Sequence, residues 1–245
     1  MKIENRYDFV MLFDVENGNP NGDPDAGNTP RVDAETGYGY ITDVCLKRKI
    51  RNYVELCKEG EAGYNILIKP DKWLNAKFTE AYEAEGLEKN KKGKKADDVK
   101  KAKEYMCRNY YDVRTFGAVM STGEDQCGIV RGPVQINFAR SISPVNIQDV
   151  TITRQARTTE DRTKTGETEM GRKSMIPYAL YRAEGYVSAA LGNKVGLTEE
   201  DIEVLWEAII NIFGGLKSIP FGSEILVFII SLKTKKYKIF SCTFL

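Results

Sequence analysis

Lys47, Arg48 and Arg51 crowd one stretch, Ile41–Cys57, which reads ITDVCLKRKIRNYVELC. Ammonium and guanidinium groups at such spacing do one chemistry well: they hold phosphate. Lys47 and Arg51 are four positions apart, so on a helix they point the same way. Cations along one helical flank match a polyanionic backbone. The plainer alternative is a solvated basic face. A second set, Arg154, Arg157, Arg162, Lys164, Arg172 and Lys173, is spread through RQARTTEDRTKTGETEMGRK, residues Arg154–Lys173. That segment is rich in hydroxyls and almost devoid of apolar side chains. It reads as a projecting hairpin or loop, with an unstructured surface insert as the alternative.

Catalytic chemistry has few candidates. The chain has no histidine, which removes the commonest general base and metal ligand and any Ser–His or Cys–His nucleophile. Five cysteines (Cys45, Cys57, Cys107, Cys127, Cys242) are scattered without a CxxC pair. They point to reduced thiols in a cytoplasm rather than to disulfides or zinc. Asp23, Asp25 and Asp33 are the carboxylates that a metal-dependent ribonuclease without histidine would use, although Asp in a Pro/Gly-rich stretch also serves turns. Asn17, Asn19, Asn21 and Gly22 have calcium-loop spacing, but the first position lacks Asp and the last holds Asn28 where Glu belongs. We assign no catalytic residue, no metal site and no cofactor.

The elements that must position these cations follow from periodicity. Arg6–Val15 alternates, with Tyr7, Phe9, Met11, Phe13 and Val15 on one face and Asp8, Val10, Leu12 and Asp14 on the other. Both faces are largely apolar, which predicts a central strand. Tyr7, Phe9 and Phe13 would be the stacking aromatics of a generic RNA-recognition domain, or simply core. Glu16–Tyr40 is a long Gly/Asn/Pro/Asp loop, and its length argues for a function. In the basic helix Leu46, Ile50, Tyr53, Val54 and Cys57 form the buried seam, Thr42 or Asp43 caps the start, and Lys49 joins the outward cations. Tyr64–Ile68 is a short strand, and Asp71–Glu85 and Asp97–Tyr110 are helices flanking the basic run Lys89–Lys95. Val134, Ile136 and Phe138 share one face of a strand, Ile147–Thr153 alternates, and Ser174–Ala190 is strand-like. Leu197–Phe213 is an amphipathic helix with Thr198 and Asp201 at its start and Ile202, Leu205, Trp206, Ile209 and Phe213 buried. Glu224–Leu232 closes the series as a strand.

The order is strand, helix, strand, strand, helix, strand, with large inserts: an α+β, ferredoxin-like (RRM-like) domain. We read residues 1–245 as one such domain, with a loop at 16–40, a helical insert at 58–127, the projection at 154–173 and an atypical tail at 214–245. Net charge is only +1, so affinity for nucleic acid must come from local patches. The start MKIENRYDFV lacks the apolar run of a signal peptide. The longest apolar run, Ile225–Ile230, is far short of the ~20 residues of a membrane span, and exposed it would be an aggregation hazard.

Several segments in order resemble one family. FDVENGNPNGDPDAGN with TDVCLKRKIRNYV, then YYDVRTFGAVMS, RGPVQINFARSISPV, and TITRQ with GRKSMIPYALYRAEGYVSA are similar to the Cas-seven family of CRISPR-associated proteins, the backbone subunit of the type I-C surveillance complex (Cascade). The resemblance covers about Met1 to Phe213, and the carboxyl end departs from it. It implies a right-hand shape: a ferredoxin-like palm, fingers, and a thumb hairpin at Arg154–Lys173. It implies copies stacked head to tail on one guide RNA (crRNA), a non-catalytic role, and bases left open to pair with target DNA in antiviral defence. The implied partners are crRNA, target DNA through that RNA, further copies of the chain, and Cas-five, Cas-eight and small-subunit types, with no membrane. The implied RNA-binding residues are Arg31, Thr42, Lys47, Arg48, Arg51, Arg154, Arg157, Arg172 and Lys173. Phosphate and sugar contacts carry no sequence information, which suits a protein that must accept any spacer and delegate reading to base pairing.

Overall fold

The computed structural model describes residues 1–89, 93, 95–154, 169–211, 224–231 and 236–243. Its main element is one antiparallel sheet in the order β12–β11–β1–β10–β8–β4, with β7 and β9 also pairing with β10. These strands are β1 (Tyr7–Gly18), β4 (Tyr38–Ile41), β7 (Val134–Ile136), β8 (Ala139–Pro144), β9 (Gln148–Arg154), β10 (Glu169–Val187), β11 (Glu224–Ser231) and β12 (Lys236–Thr243), while β2 (Gly22–Asp23) and β3 (Thr29–Pro30) pair with each other in the loop after β1. The alternation of RYDFVMLFDV explains β1. Phe9, Met11, Phe13 and Val15 all point into the core and are almost fully buried.

Helices α1 (Asp43–Cys57) and α6 (Glu199–Asn211) supply the opposing layer. Leu46, Ile50 and Val54 of α1 and Ile202, Leu205, Ala208 and Ile209 of α6 join the same core as the β1 side chains. Each large side chain so buried contributes about 1.5–3 kcal/mol. Trp206 meets Phe9 edge-on, with centroids 5.1 Å apart at 79°. Phe9 lies across Gly185, where a Cβ would sit 2.1 Å from the ring, so β10 has no room for a side chain there. Tyr53 is only half-buried and Cys57 is exposed. The seam of α1 is therefore Leu46, Ile50 and Val54, narrower than the spacing predicted.

The second face of the sheet differs from expectation. Asp8, Val10, Leu12 and Asp14 are half-buried, not buried, because α1 and α6 share the core on the opposite face. Along the same open face Phe138, Ile142, Tyr178, Leu180 and Tyr186 are exposed. Phe138 was placed with Val134 and Ile136 by its parity. The register shows why it leaves them: β7 pairs Ile136 with Gly185, whereas β8 pairs Arg140 with Arg182. One extra residue at Asn137–Phe138 forms a bulge, which turns Phe138 outward and Ala139 inward.

A second core lies between β4 and β7 in sequence. Here α2 (Leu74–Ala84) and α3 (Ala96–Asn109) pack with α4 (Tyr111–Phe116) and the hairpin β5 (Gly117–Met120)–β6 (Gly128–Arg131). Phe78, Tyr82, Met106, Val113 and Met120 fill it. The expected strand at Tyr64–Ile68 reduces to one bridge, Asn65 to Tyr110. The helix α5 (Ala189–Val195) follows β10. In the tail, β11 pairs with β1 on one side and β12 on the other, so the apolar run Ile225–Ile230 is an interior strand instead of a bare edge. Among the described residues, no helix is long and apolar enough to cross a membrane.

Candidate nucleic-acid interface

The loop after β1 is strapped to the start of α1. Asn21 Oδ1 accepts from both the backbone N–H and the hydroxyl of Thr42, each at 3.0 Å. Thr42 Oγ1 in turn accepts from Cys45 N–H at 3.3 Å, so of the two caps the sequence offers, Thr42 and Asp43, Thr42 is the N-cap. Asn19 donates to the Asn28 carbonyl at 2.6 Å, and Asn28 takes a left-handed φ of 62°. Arg31 Nη1 reaches Asp23 Oδ2 at 3.2 Å, while its buried Nε has no acceptor among the described residues. Burial raises the Cys45 thiol pKa against the opposing charges of Lys49 and Arg31. Arg31 and Thr42 are thus brought together around Asn21.

The flank of α1 departs from the solvated face expected of it. Lys47 Nζ is 2.7 Å from Asp43 and 5.9 Å from the centre of the Phe116 ring. Arg48 Nη1 donates to the Ile68 carbonyl at 2.7 Å. Arg51 is buried: its Nε donates to Asp112 at 2.9 Å and its guanidinium lies 5.3 Å from the Phe116 centroid. Lys49 is buried as well, and burial lowers its pKa. For Lys47, Arg48 and Arg51 the physical reason is the 58–127 insert, which folds back and supplies Phe116, Ile68 and Asp112 to this flank. Asp112 is the hub, accepting also from Leu67 N–H at 2.8 Å and Ile68 N–H at 3.2 Å. Lys47 and Arg48 remain partly accessible.

The polar projection is based on a hairpin. β9 and β10 pair antiparallel from Gln148–Met175 out to Arg154–Glu169. Arg172 and Lys173 stand exposed on the β10 arm. Arg154 ends the β9 arm, and Arg157, Arg162 and Lys164 lie outside the described residues.

A family model described as CRISPR-associated protein Cas7 matches residues 5–238. The chain belongs to the Cas7 family. The match runs into the tail that the sequence reading had set apart after Phe213. A Cas7 protein of Haloferax volcanii is 27% identical over 240 residues, covering 86% of this chain and 66% of that protein. The chain thus spans just under two thirds of this relative's length. Among solved structures, a chain of a CRISPR RNA-guided surveillance complex, pre-nicking, aligns with TM-score 0.54 at 14% identity, covering 91% of this chain and 78% of the other. A chain of a second CRISPR RNA-guided surveillance complex aligns with TM-score 0.50 at 11% identity, covering 91% and 68%. At these identities the likeness is one of fold: a mixed α+β chain built on an antiparallel sheet.

Two of the three loop aspartates of this Cas7-family chain, Asp23 and Asp33, serve local turns. Asp23 accepts from Asp25 N–H, and Asp33 accepts from Glu35 and Thr36 N–H. Those backbone donors hold the Asp33 carboxyl below its usual range. Among the described residues no three His, Cys, Asp or Glu side chains gather as a metal site. Sequence reasoning missed the positioning residues Asn21 and Asp112. Asn21 was visible only as one rung of the Asn-x-Asn ladder, and Asp112 only as part of YYDVR. It also missed Arg140 and Arg182, which the register sets opposite each other on the open face of the sheet.

Proposed function

We propose that this chain is a non-catalytic backbone subunit that binds crRNA and, with further copies of itself, presents it to target DNA in a type I-C interference complex. The family match over residues 5–238 carries this reading. In it, β11, β1, β10 and β7–β8 are the four strands of a ferredoxin-like palm in the order 4-1-3-2, with α1 and α6 as its helices. The strand order and the antiparallel ladders support that assignment. The 58–127 insert forms the fingers and the β9–β10 hairpin the base of the thumb. Arg172 and Lys173, with Arg154 and Arg157, hold phosphates along the thumb. Arg31, Thr42, Lys47 and Arg48 line the palm side, and Arg51 supports them from within. Cas-five, Cas-eight and small-subunit types are the further partners.

Purification of the full chain from a host that transcribes a repeat–spacer array tests this. The expected result is guide-sized RNA of mixed spacer sequence carrying several protein copies. Recovery free of RNA, or RNA cut at regular intervals once Mg²⁺ is added, would overturn it.

A further inference from the structure

Arg140 of β8 and Arg182 of β10 are direct cross-strand partners on the open face of the sheet. Like charges so placed repel, and both side chains are exposed. Arg182 shares Glu184 of its own strand as an ion-pair partner, and Tyr186 donates to the same carboxylate at 3.2 Å. Arg140 also stands near Asp33, whose carboxyl is held low chiefly by the Thr36 and Glu35 backbone N–H groups. Between the two arginines lies a cleft of about 280 Å³ lined by Asn137, Phe138, Arg140, Arg182 and Glu184. Phe138 is 48% exposed and stacks on Tyr40, with centroids 6.3 Å apart and planes at 7°.

We propose that this cleft is a second grip for single-stranded RNA, holding one phosphodiester between Arg140 and Arg182 with the adjoining base against Phe138. The inference rests on the RNA-binding reading above and adds a site to it. Two planar guanidinium forks match phosphate geometry, and an exposed aromatic ring accepts any base by its π-face. An apolar protein surface laid on the same cleft would desolvate two cations without pairing them. Neither contact reads base identity, as a spacer-tolerant protein requires.

The test is binding of a fluorescent oligo-uridine to the full chain across a salt series, with ultraviolet crosslinking and peptide mapping. Wild type should yield a crosslinked peptide containing Phe138. Arg140→Gln with Arg182→Gln should lower the log–log salt slope by about 0.7, the value of one single-strand phosphate. The matching double Lys variant should restore it. The crosslink is read on the wild-type chain, so it does not depend on a variant folding. If wild type binds RNA with no adduct on β8 and the Gln pair leaves the slope unchanged, the cleft is overturned and the RNA-binding reading stands. An unchanged slope with lost self-association overturns it in favour of a protein interface. If wild type binds no RNA, both readings fall together.

Discussion

Arg114 and Asp201 face each other as a two-pronged ion pair, Nε to Oδ2 at 3.0 Å and Nη2 to Oδ1 at 2.6 Å. Both side chains are buried. The pair ties α4 to the first turn of α6, where Asp201 also accepts from Thr198 N–H at 2.9 Å. The 58–127 insert is thus anchored to α6 through a residue of that helix's own amino-terminal cap.

Truncating Asp201 to Ala leaves Arg114 buried without its counter-charge. The expected loss is about 3–5 kcal/mol, read as a lower urea midpoint. The double variant Arg114→Met, Asp201→Leu should recover most of it, since apolar replacement of both partners is often neutral.

Arg51 and the hairpin cations should separate in behaviour. Arg51→Met strands Asp112, which then keeps the two backbone donors Leu67 and Ile68 among the described residues. It should lower thermal stability and leave the salt slope of RNA binding unchanged. Arg172→Ala with Lys173→Ala should do the reverse, lowering the slope by about 1.4 for two phosphates at an unchanged melting temperature. Equal effects on both readouts would refute this division of roles.

The thiols should sort by burial. Burial pushes Cys107 up to about 11 and Cys127 up to about 12, so neither supplies thiolate near pH 8, at roughly which an ordinary thiol begins to react. Cys57 is exposed. Alkylation of the native chain followed by mass spectrometry should modify Cys57 first and leave Cys107 and Cys127 untouched.

Asp71 gives an acid signature. Burial would raise its pKa, but Lys77 Nζ at 2.6 Å and the Lys72 backbone N–H outweigh that and bring it down to about 2. A carboxyl lowered by folding stabilises above its usual value of 3.8, and that contribution drains away as pH falls through about 2. Asp71 is 39% exposed, so the effect is small. Asp71→Asn should flatten the pH dependence of the melting temperature between about pH 4 and about pH 2, and an unaltered profile would count against the pairing.

Elements with one strong period were legible from sequence. β1, α1 and α6 each carry a clean apolar stripe, and Thr42 and Thr198 mark two helix starts correctly. α4 was not legible, because YYDVRTF is buried on every side and shows no polar face to count against. The surroundings of the cations were not legible either. Periodicity says which way Lys47 and Arg51 point on a helix but not what arrives there. Asp112 lies 61 positions from Arg51, and no local pattern connects them. Phe138 was misplaced for a related reason: a single inserted residue breaks parity without any turn signal.

The extra residue at Asn137–Phe138 takes up a mismatch between two ladders that are each in phase with β10. Between Gly185 and Arg182 β10 advances three positions, while its neighbour advances four from Ile136 to Arg140. Removing Phe138 would make the two sides even, so Arg140 would keep its place opposite Arg182 and Ala139 would stay inward. One codon therefore decides whether the guanidinium pair has an aromatic ring beside it, and leaves the pair itself untouched.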